Sequence, residues 1–274
     1  MAGTYLKKLL SVALKLVLVV AFAFPFLWMI FTAFKSYGDS ILYPPRLLPS
    51  QLHFENFAKV FESGPFFTYT INSILVVFFT MSLQFLVLIP SAYVFARYQF
   101  KGQKLLFGLV LLALMVPNQI TFVPVYLLMA RAKLLGTLLP QILPFACNAF
   151  GLFLLRQNFM QVDDEIIEAA TLDNTPEWRL VTRVMLPMAK PTLVTITLFS
   201  FINNWNSYFW PLVMTDTKEL RPLTVGLAML KISEGTLNWP VVMAGNVILL
   251  APILLLYLAT KKEMLASISY SGIK

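Results

Sequence analysis

Long apolar runs alternate with short polar segments along this chain. Charge-free stretches extend from Leu16 to Phe34, Ser63 to Ala96, Leu105 to Ala130, Leu134 to Leu155, Pro191 to Thr215 and Gly235 to Thr260. Each can hold about 20 apolar residues, the length a helix needs to cross a hydrocarbon core about 30 Å thick. The pattern therefore predicts six transmembrane helices. The runs are continuously apolar, whereas barrel strands are shorter and alternate, so the fold class is all-α and polytopic. The first run follows Lys7, Lys8 and Lys15 as a signal peptide would, but "FAFPFLWMIF" continues it with bulky side chains and no small-residue cleavage site follows. It reads as a retained anchor.

Composition agrees with this frame. The 274 residues are 58% hydrophobic and 12% charged, against roughly a quarter charged in a soluble domain. Lysine and arginine near span ends orient the chain. With the amino terminus inside, thirteen of them fall in inner segments and eight in outer ones, and the contrast is sharpest in the short "ARYQFKGQK" loop. Both termini are thus expected on the cytoplasmic side. The net charge of +8 is then a topology signal, and a nucleic-acid partner is not expected because no basic patch interleaved with aromatics lies on a soluble face. Cys147 and His53 are each the only residue of their type. They offer neither a disulfide nor a metal site within the chain.

One polar stretch lies between apolar spans, "EAATLDNTPEWRLVTRVMLP", Glu168 to Pro187. Asp163 can cap a short helix, with Asp164 and Glu165 in its first turn, running to about Leu172. Asn174 suits a left-handed turn residue. Thr175 followed by Pro176 reads as a cap and first helical position of a second helix that stops before Pro187. On the first helix Ile166, Ala169, Ala170 and Asp173 fall near one face, with Ile167 to one side. Small alanines edged by Glu168 and Asp173 suit docking into a cleft on a soluble partner. A solvated amphipathic loop has the same pattern.

The fifth run carries Asn203, Asn204, Asn206 and Ser207 among Trp205, Tyr208 and Trp210. Asn203, Asn206, Ser207 and Trp210 lie near one face at helical spacing. Amides can satisfy sugar hydroxyls and indole rings can cover apolar sugar faces. Polar groups also hold membrane helices together, and tryptophan anchors span ends. Asn118 and Gln119, with Thr121 between Pro117 and Pro124, form a second candidate where proline frees backbone groups. Asn72, Ser73 and Gln84 in the second run read as packing groups. In the outer loop from Tyr43 to Phe61, Phe54, Phe57 and Phe61 recur at helical spacing, either packing on the outer surface or meeting a partner.

The Glu168 stretch resembles the cytoplasmic EAA loop of permease subunits of bacterial ABC importers. Glu168, Ala169, Ala170, Asp173, Leu186 and Pro187 match that pattern, while Asn174 stands where glycine is usual. "SAYVFARYQFKGQKLL", "MVPNQITFVPVYLL", "NNWNSYFWPLV" and "NWPVVMAGNVILLAPILLL" are similar to permeases of carbohydrate-uptake systems, in particular the smaller maltose-type permease. Near the carboxyl end Thr260, Lys261 and Lys262 depart from the usual glutamine and arginine, whereas "SGIK" resembles the usual tail.

The resemblance implies one permease domain over 1–274: a peripheral first helix and outer loop (1–65), a five-helix core (66–262) holding the coupling loop (160–187), and a cytoplasmic tail (263–274). It implies a bacterial cytoplasmic membrane location and import of a mono- or oligosaccharide, or a related polyol or glycerophosphate. A second permease, two ATPase subunits and an extracellular or periplasmic solute-binding protein are the implied partners. No G-x-x-x-x-G-K-[ST] phosphate loop occurs in the sequence, so ATP and magnesium are expected on the ATPase partners rather than on this chain. An importer of a non-sugar solute would carry the same loop. A secondary transporter would instead place ionisable groups inside the bilayer, and no aspartate, glutamate or histidine falls inside the six runs.

Overall fold

The computed structural model describes residues 2–233 and 238–271, with side chains over 7–230 and 238–263. Gly235, the Lys231 side chain and the end of the chain at 272–274, which includes Lys274 and most of the "SGIK" tail, lie outside that description. Among the described residues the chain is helical without a strand. In chain order the helices used below are α1 (Ala2–Ala33), α2 (Glu55–Glu62), α3 (Phe66–Arg97), α4 (Gln103–Ala113), α5 (Asn118–Arg131), α6 (Leu139–Ile142) and α7 (Ala149–Phe159). They continue with α8 (Asp164–Leu172), α9 (Glu177–Leu180), α10 (Lys190–Trp205), α11 (Phe209–Met214), α12 (Leu223–Ser233) and α13 (Trp239–Ser271).

Among the described residues all six apolar runs carry helix; four helical stretches are long and apolar enough to cross a membrane, and there are six if each of two bent pairs counts as one span. The third run breaks between α4 and α5 with a bend of 100°. Pro117 ends the first piece because a proline has no N–H to continue the ladder and disfavours helix in the residue before it. The other bend, 81°, separates the helix that ends at Met188 from α10. The fifth run also ends its helix early, at Trp205, and restarts at Phe209.

Residues 1–67 with 226–252 form one compact unit. In it α2 is fixed to the end of α1. Asn56, buried, donates to the carbonyls of Ala33 (2.9 Å) and Lys35 (2.8 Å), and the His53 N–H donates to Phe34 O at 3.0 Å. Phe34 meets both Phe54 and Phe57 with ring centres 5.2 Å apart, so Phe57 packs within this unit. Lys35 is 2% exposed; its ammonium lies 4.5 Å from the Trp28 ring centre and donates to Arg46 O. Burial lowers its pKa by penalising the charged form. Two further groups are held below the carboxylate range: Asp39 by the Ser50 N–H and hydroxyl, and Glu55 by His53. Gly245 of α13 lets Leu227 of α12 approach closely, since a Cβ at Gly245 would stand 2.3 Å from Leu227 Cδ2.

The second unit comprises 68–225 and 253–274. Its core joins Leu88, Ala92 and Tyr93 of α3 to Leu155 and Phe159 of α7, then to Val162, Leu180, Met185, Ala189 and Ile196. The polar stretch is thereby packed rather than free: Ile167 and Ala170 of α8 lie against this core.

Within the stretch the sequence reading needs three corrections. Asp163 stands at the N-cap position, but its side chain makes no cap bond. The second helix begins at Glu177 with Pro176 as its cap, not at Pro176 with Thr175 as cap. It also does not stop before Pro187. It widens into a π turn over Val181–Met185, closed by the Leu186 N–H on Val181 O, and continues to Met188. The wider turn accommodates a proline that lacks a donor and crowds the carbonyl four residues earlier. Asn174 is left-handed as expected, at φ 50°. Its N–H donates to Thr171 O and that of Thr175 to Ala170 O, both at 3.0 Å, which completes a Schellman closure of α8.

Four substitutions at three positions test these points. Gly245→Ala should cost about 1–3 kcal/mol by overpacking, read as a lower melting temperature in detergent. Gly108→Ala should cost nothing, because no atom lies within 4 Å of its Cβ position. Asn174→Gly should melt like the parent, while Asn174→Val should lose about 1–2 kcal/mol, the cost of a left-handed backbone for a residue with a branched Cβ. Equal tolerance of glycine and valine would count against the left-handed turn.

Candidate functional site

Two features of the second unit carry the candidate residues: the α8–α9 stretch and a large cleft.

On α8 and its C-cap, Glu168, Ala169 and Asp173 are exposed while Ala170 turns inward with Ile167. Ala170 therefore does not share the outward face. What accompanies the acidic residues outside is apolar: Leu172 is 83% exposed and Trp178 59%. Sequence reasoning missed both, although a leucine and a tryptophan in a short polar loop are the signal. Exposed large apolar side chains on a charged rim mark contact surfaces. Asn174 is exposed at the turn, and Pro187 lies at the start of the last helical segment.

Both helices of the stretch are tied to the end of α3. Arg97, its last residue, donates from Nη1 to Asp164 Oδ1 at 2.6 Å and from Nη2 to the Val162 carbonyl. The next residue, Tyr98, donates its hydroxyl to Glu177 Oε1. Arg156 of α7 donates to Phe95 O at 3.0 Å and lies 4.1 Å from the Phe107 ring centre. The Arg97 side chain is 13% exposed and its Asp164 partner 83%. An exposed ion pair alone contributes little. Here a half-enclosed guanidinium also satisfies a backbone carbonyl, which adds geometric definition.

The cleft has a volume of about 1070 Å³. Its walls are the breaks in three helical runs: Leu114 to Asn118 between α4 and α5, Phe145 to Asn148 between α6 and α7, and Ser207 to Phe209 between α10 and α11. Leu88, Ser91 and Phe95 of α3 close one side. Irregular backbone at membrane depth is tolerated where it is buried in protein or lines a cavity. Side chains answer the freed backbone groups. Gln84 Nε2 donates to Phe145 O at 2.7 Å, Trp210 Nε1 to Pro140 O at 2.9 Å, and Asn148 Oδ1 accepts from the Gly151 N–H at 2.9 Å.

Asn118, Gln119, Asn203, Ser207 and Trp210 all line this cleft, and Asn206 does not. The helical-face argument for Asn206 assumed a continuous helix, whereas α10 ends one residue earlier and Asn206 is its exposed C-terminal cap. Trp210 is largely buried, edge-on to Phe122 and Phe145 at 5.0 and 5.2 Å, with its N–H already engaged. Its ring, not its donor, is what the cleft receives. Sequence reasoning left out Ser91, Asn148 and Ser200, and treated Gln84 as packing; all four line the cleft. Asn72 and Ser73 do pack: Asn72 donates to Glu219 O and Arg221 O, and Ser73 Oγ accepts from the Leu223 N–H at 2.8 Å. Gln84 does more than pack, because its Oε1 is buried without a partner. Leaving such an acceptor unsatisfied costs about 1–3 kcal/mol.

Comparison with known proteins accounts for this arrangement. Over residues 88–262 the chain matches the family described as binding-protein-dependent transport system inner membrane component. It is 30% identical over 279 residues to the arabinooligosaccharides transport system permease protein AraQ of Halalkalibacterium halodurans, covering 98% of this chain and 100% of that one. It is 31% identical over 248 residues to the diacetylchitobiose uptake system permease protein NgcG of Streptomyces coelicolor, covering 89% and 82%. Its fold superposes with a TM-score of 0.86, at 23% identity over 96% of this chain and 98% of the other, on a chain from the crystal structure of a bacterial ABC transporter involved in the import of the acidic polysaccharide alginate. The loop, the broken helices around one cleft and the match over residues 88–262 agree: the chain belongs to the binding-protein-dependent transport system inner membrane components, and is a permease of an ABC importer.

Proposed function

We propose that this chain is one of two permeases of an ATP-driven importer of a sugar or related polyol, with the α8–α9 stretch receiving an ATPase subunit on the cytoplasmic side. Both termini lie on that side in this reading. A second permease completes the pore, two ATPase subunits hold ATP and magnesium, and an external binding protein delivers the solute. The relatives' arabinooligosaccharide and diacetylchitobiose systems support the sugar class.

The observation that carries the reading is the double engagement of α3. At its end Arg97 holds α8 and the following Tyr98 holds Glu177. Two to thirteen residues before Arg97, Phe95, Ser91, Leu88 and Gln84 line the cleft. At about 1.5 Å per residue, one helix connects the loop to a solute path that reaches as far as Gln84, about 20 Å along it. A partner that moves the loop thereby moves a cleft wall. Coupling needs such an element, one that both sites bias. Glu168, Ala169, Leu172 and Asp173 supply the contact, Asn174 and Pro187 set the shape of the loop, and Asn118, Gln119, Asn203 and Ser207 offer hydrogen bonds along the path, beside the Trp210 ring. Asn206 is the weakest of the original candidates because it lies off the cleft.

Purification in mild detergent should recover an ATPase and a second permease with this chain; isolation of the chain alone under conditions that preserve membrane complexes would refute the proposal. Glu168→Lys should leave insertion intact and either weaken ATPase association or separate hydrolysis from uptake. Normal transport by that variant would remove the coupling role of the loop. For the Arg97 tie, Arg97→Asp should cut uptake at least about tenfold, and adding Asp164→Arg should restore part of it, as contacting charges do in double-mutant cycles. Strictly additive losses would show that the pair transmits nothing.

A further inference from the structure

The wall of the cleft contains no aspartate, glutamate, lysine, arginine or histidine among the described residues. Its polar groups are amides and hydroxyls, and its apolar groups include the rings of Phe145, Phe150, Tyr208 and Phe209. A carboxylate or phosphate brought against this wall gains no cation from this chain, and leaving water without one is strongly unfavourable. Neutral hydroxyls on an apolar ring skeleton find both kinds of partner there.

Gln84 adds direction. It is 6% exposed, and its Nε2 donates to Phe145 O at 2.7 Å. Because a carbonyl can only accept, this bond fixes which way the amide is turned. The oxygen is left buried and unpartnered in a residue that lines the cleft. Such an acceptor calls for a donor, and a neutral hydroxyl is one that brings no charge with it. We propose that the cleft receives an uncharged, polyhydroxylated solute and that Gln84 contacts it, accepting a hydrogen bond from one hydroxyl. This rests on the importer reading above. It separates this chain from transport of an acidic polysaccharide such as the solute of its structural neighbour.

The test uses the complex purified with its co-purifying subunits and binding protein, reconstituted into vesicles loaded with ATP. Radiolabelled arabinotriose and diacetylchitobiose serve as neutral probes, glycerol 3-phosphate and an oligouronate as acidic ones. Uptake confined to a neutral probe is expected; uptake of an acidic probe at a comparable rate overturns the proposal. Uptake of none of the four by a complex that hydrolyses ATP removes the sugar reading and this inference together, whereas failure to recover an ATPase is a failure of the importer reading alone.

The role of Gln84 is read from Gln84→Met against the monodeoxy derivatives of the accepted neutral probe. In the parent, loss of one particular hydroxyl should slow uptake about tenfold, the scale of a lost hydrogen bond to a buried partner. In Gln84→Met that derivative and the full probe should move at equal rates. A residue that only secures Phe145 would lower every rate alike, so an unchanged ratio across the whole monodeoxy series overturns the contact.

Discussion

The rule that governs the second unit is that a backbone N–H or C=O removed from a helix inside a membrane segment must find another partner. Three of the apolar runs break that ladder, and the breaks meet at one cavity. A break facing lipid would leave several polar groups in hydrocarbon; a break facing a cavity exposes them to solute, to water or to chosen side chains. Gln84, Asn148 and Trp210 answer that requirement, each through a bond to the backbone of the α6–α7 segment. The amides and the indole therefore have two tasks: one atom holds a broken helix, and the rest of the group forms the wall.

That constraint also sets α3 apart from the other helices that line the cleft. It is continuous from Phe66 to Arg97 despite Pro90, while α4–α5, α6–α7 and α10–α11 are interrupted. An uninterrupted helix transmits displacement along its axis; the interrupted ones can change angle at their breaks. The core around Leu88, Tyr93, Leu155 and Phe159 fixes α3 to α7 and to the polar stretch, and close-packed interiors transmit strain rather than absorb it. The π turn before Pro187 and the bend before α10 place a deformable joint on the other side of the loop. The loop is thus joined to a rigid element on one side and to a compliant one on the other.

Much of this was legible in the residues. Continuous apolar runs marked every span because hydropathy reports burial in lipid directly. Asn174 was identifiable as left-handed because few other side chains tolerate that backbone. The breaks were harder. Pro117 announced one, but proline does not always break a run, since Pro25, Pro90 and Pro252 lie inside unbroken helices. The break after Trp205 has no proline at it, so a helical face was drawn through Asn206 that the backbone does not form. Ala170 left the expected outward face for a related reason: which face of a short helix turns inward is decided by its tertiary neighbours, here the core of the second unit, and a nine-residue periodicity is too short to announce it. Gln84 was indistinguishable from a packing amide because its significance lies in one unsatisfied oxygen.

An uncharged wall has a kinetic consequence as well. A path must bind a solute well enough to admit it and weakly enough to release it. Ion pairs and cationic clamps concentrate binding energy in a few strong contacts; neutral amides, hydroxyls and ring faces spread it over many contacts of similar, small size. A solute moving along such a surface exchanges one weak hydrogen bond for another without meeting a deep well. Selection among neutral solutes then need not reside in the path alone, which in the proposed importer leaves that choice to an external receptor. Among the described residues of the wall, the buried acceptor of Gln84 departs from that evenness. It is also carried by the helix that the loop holds, so a displacement of α3 would move that contact along with the wall.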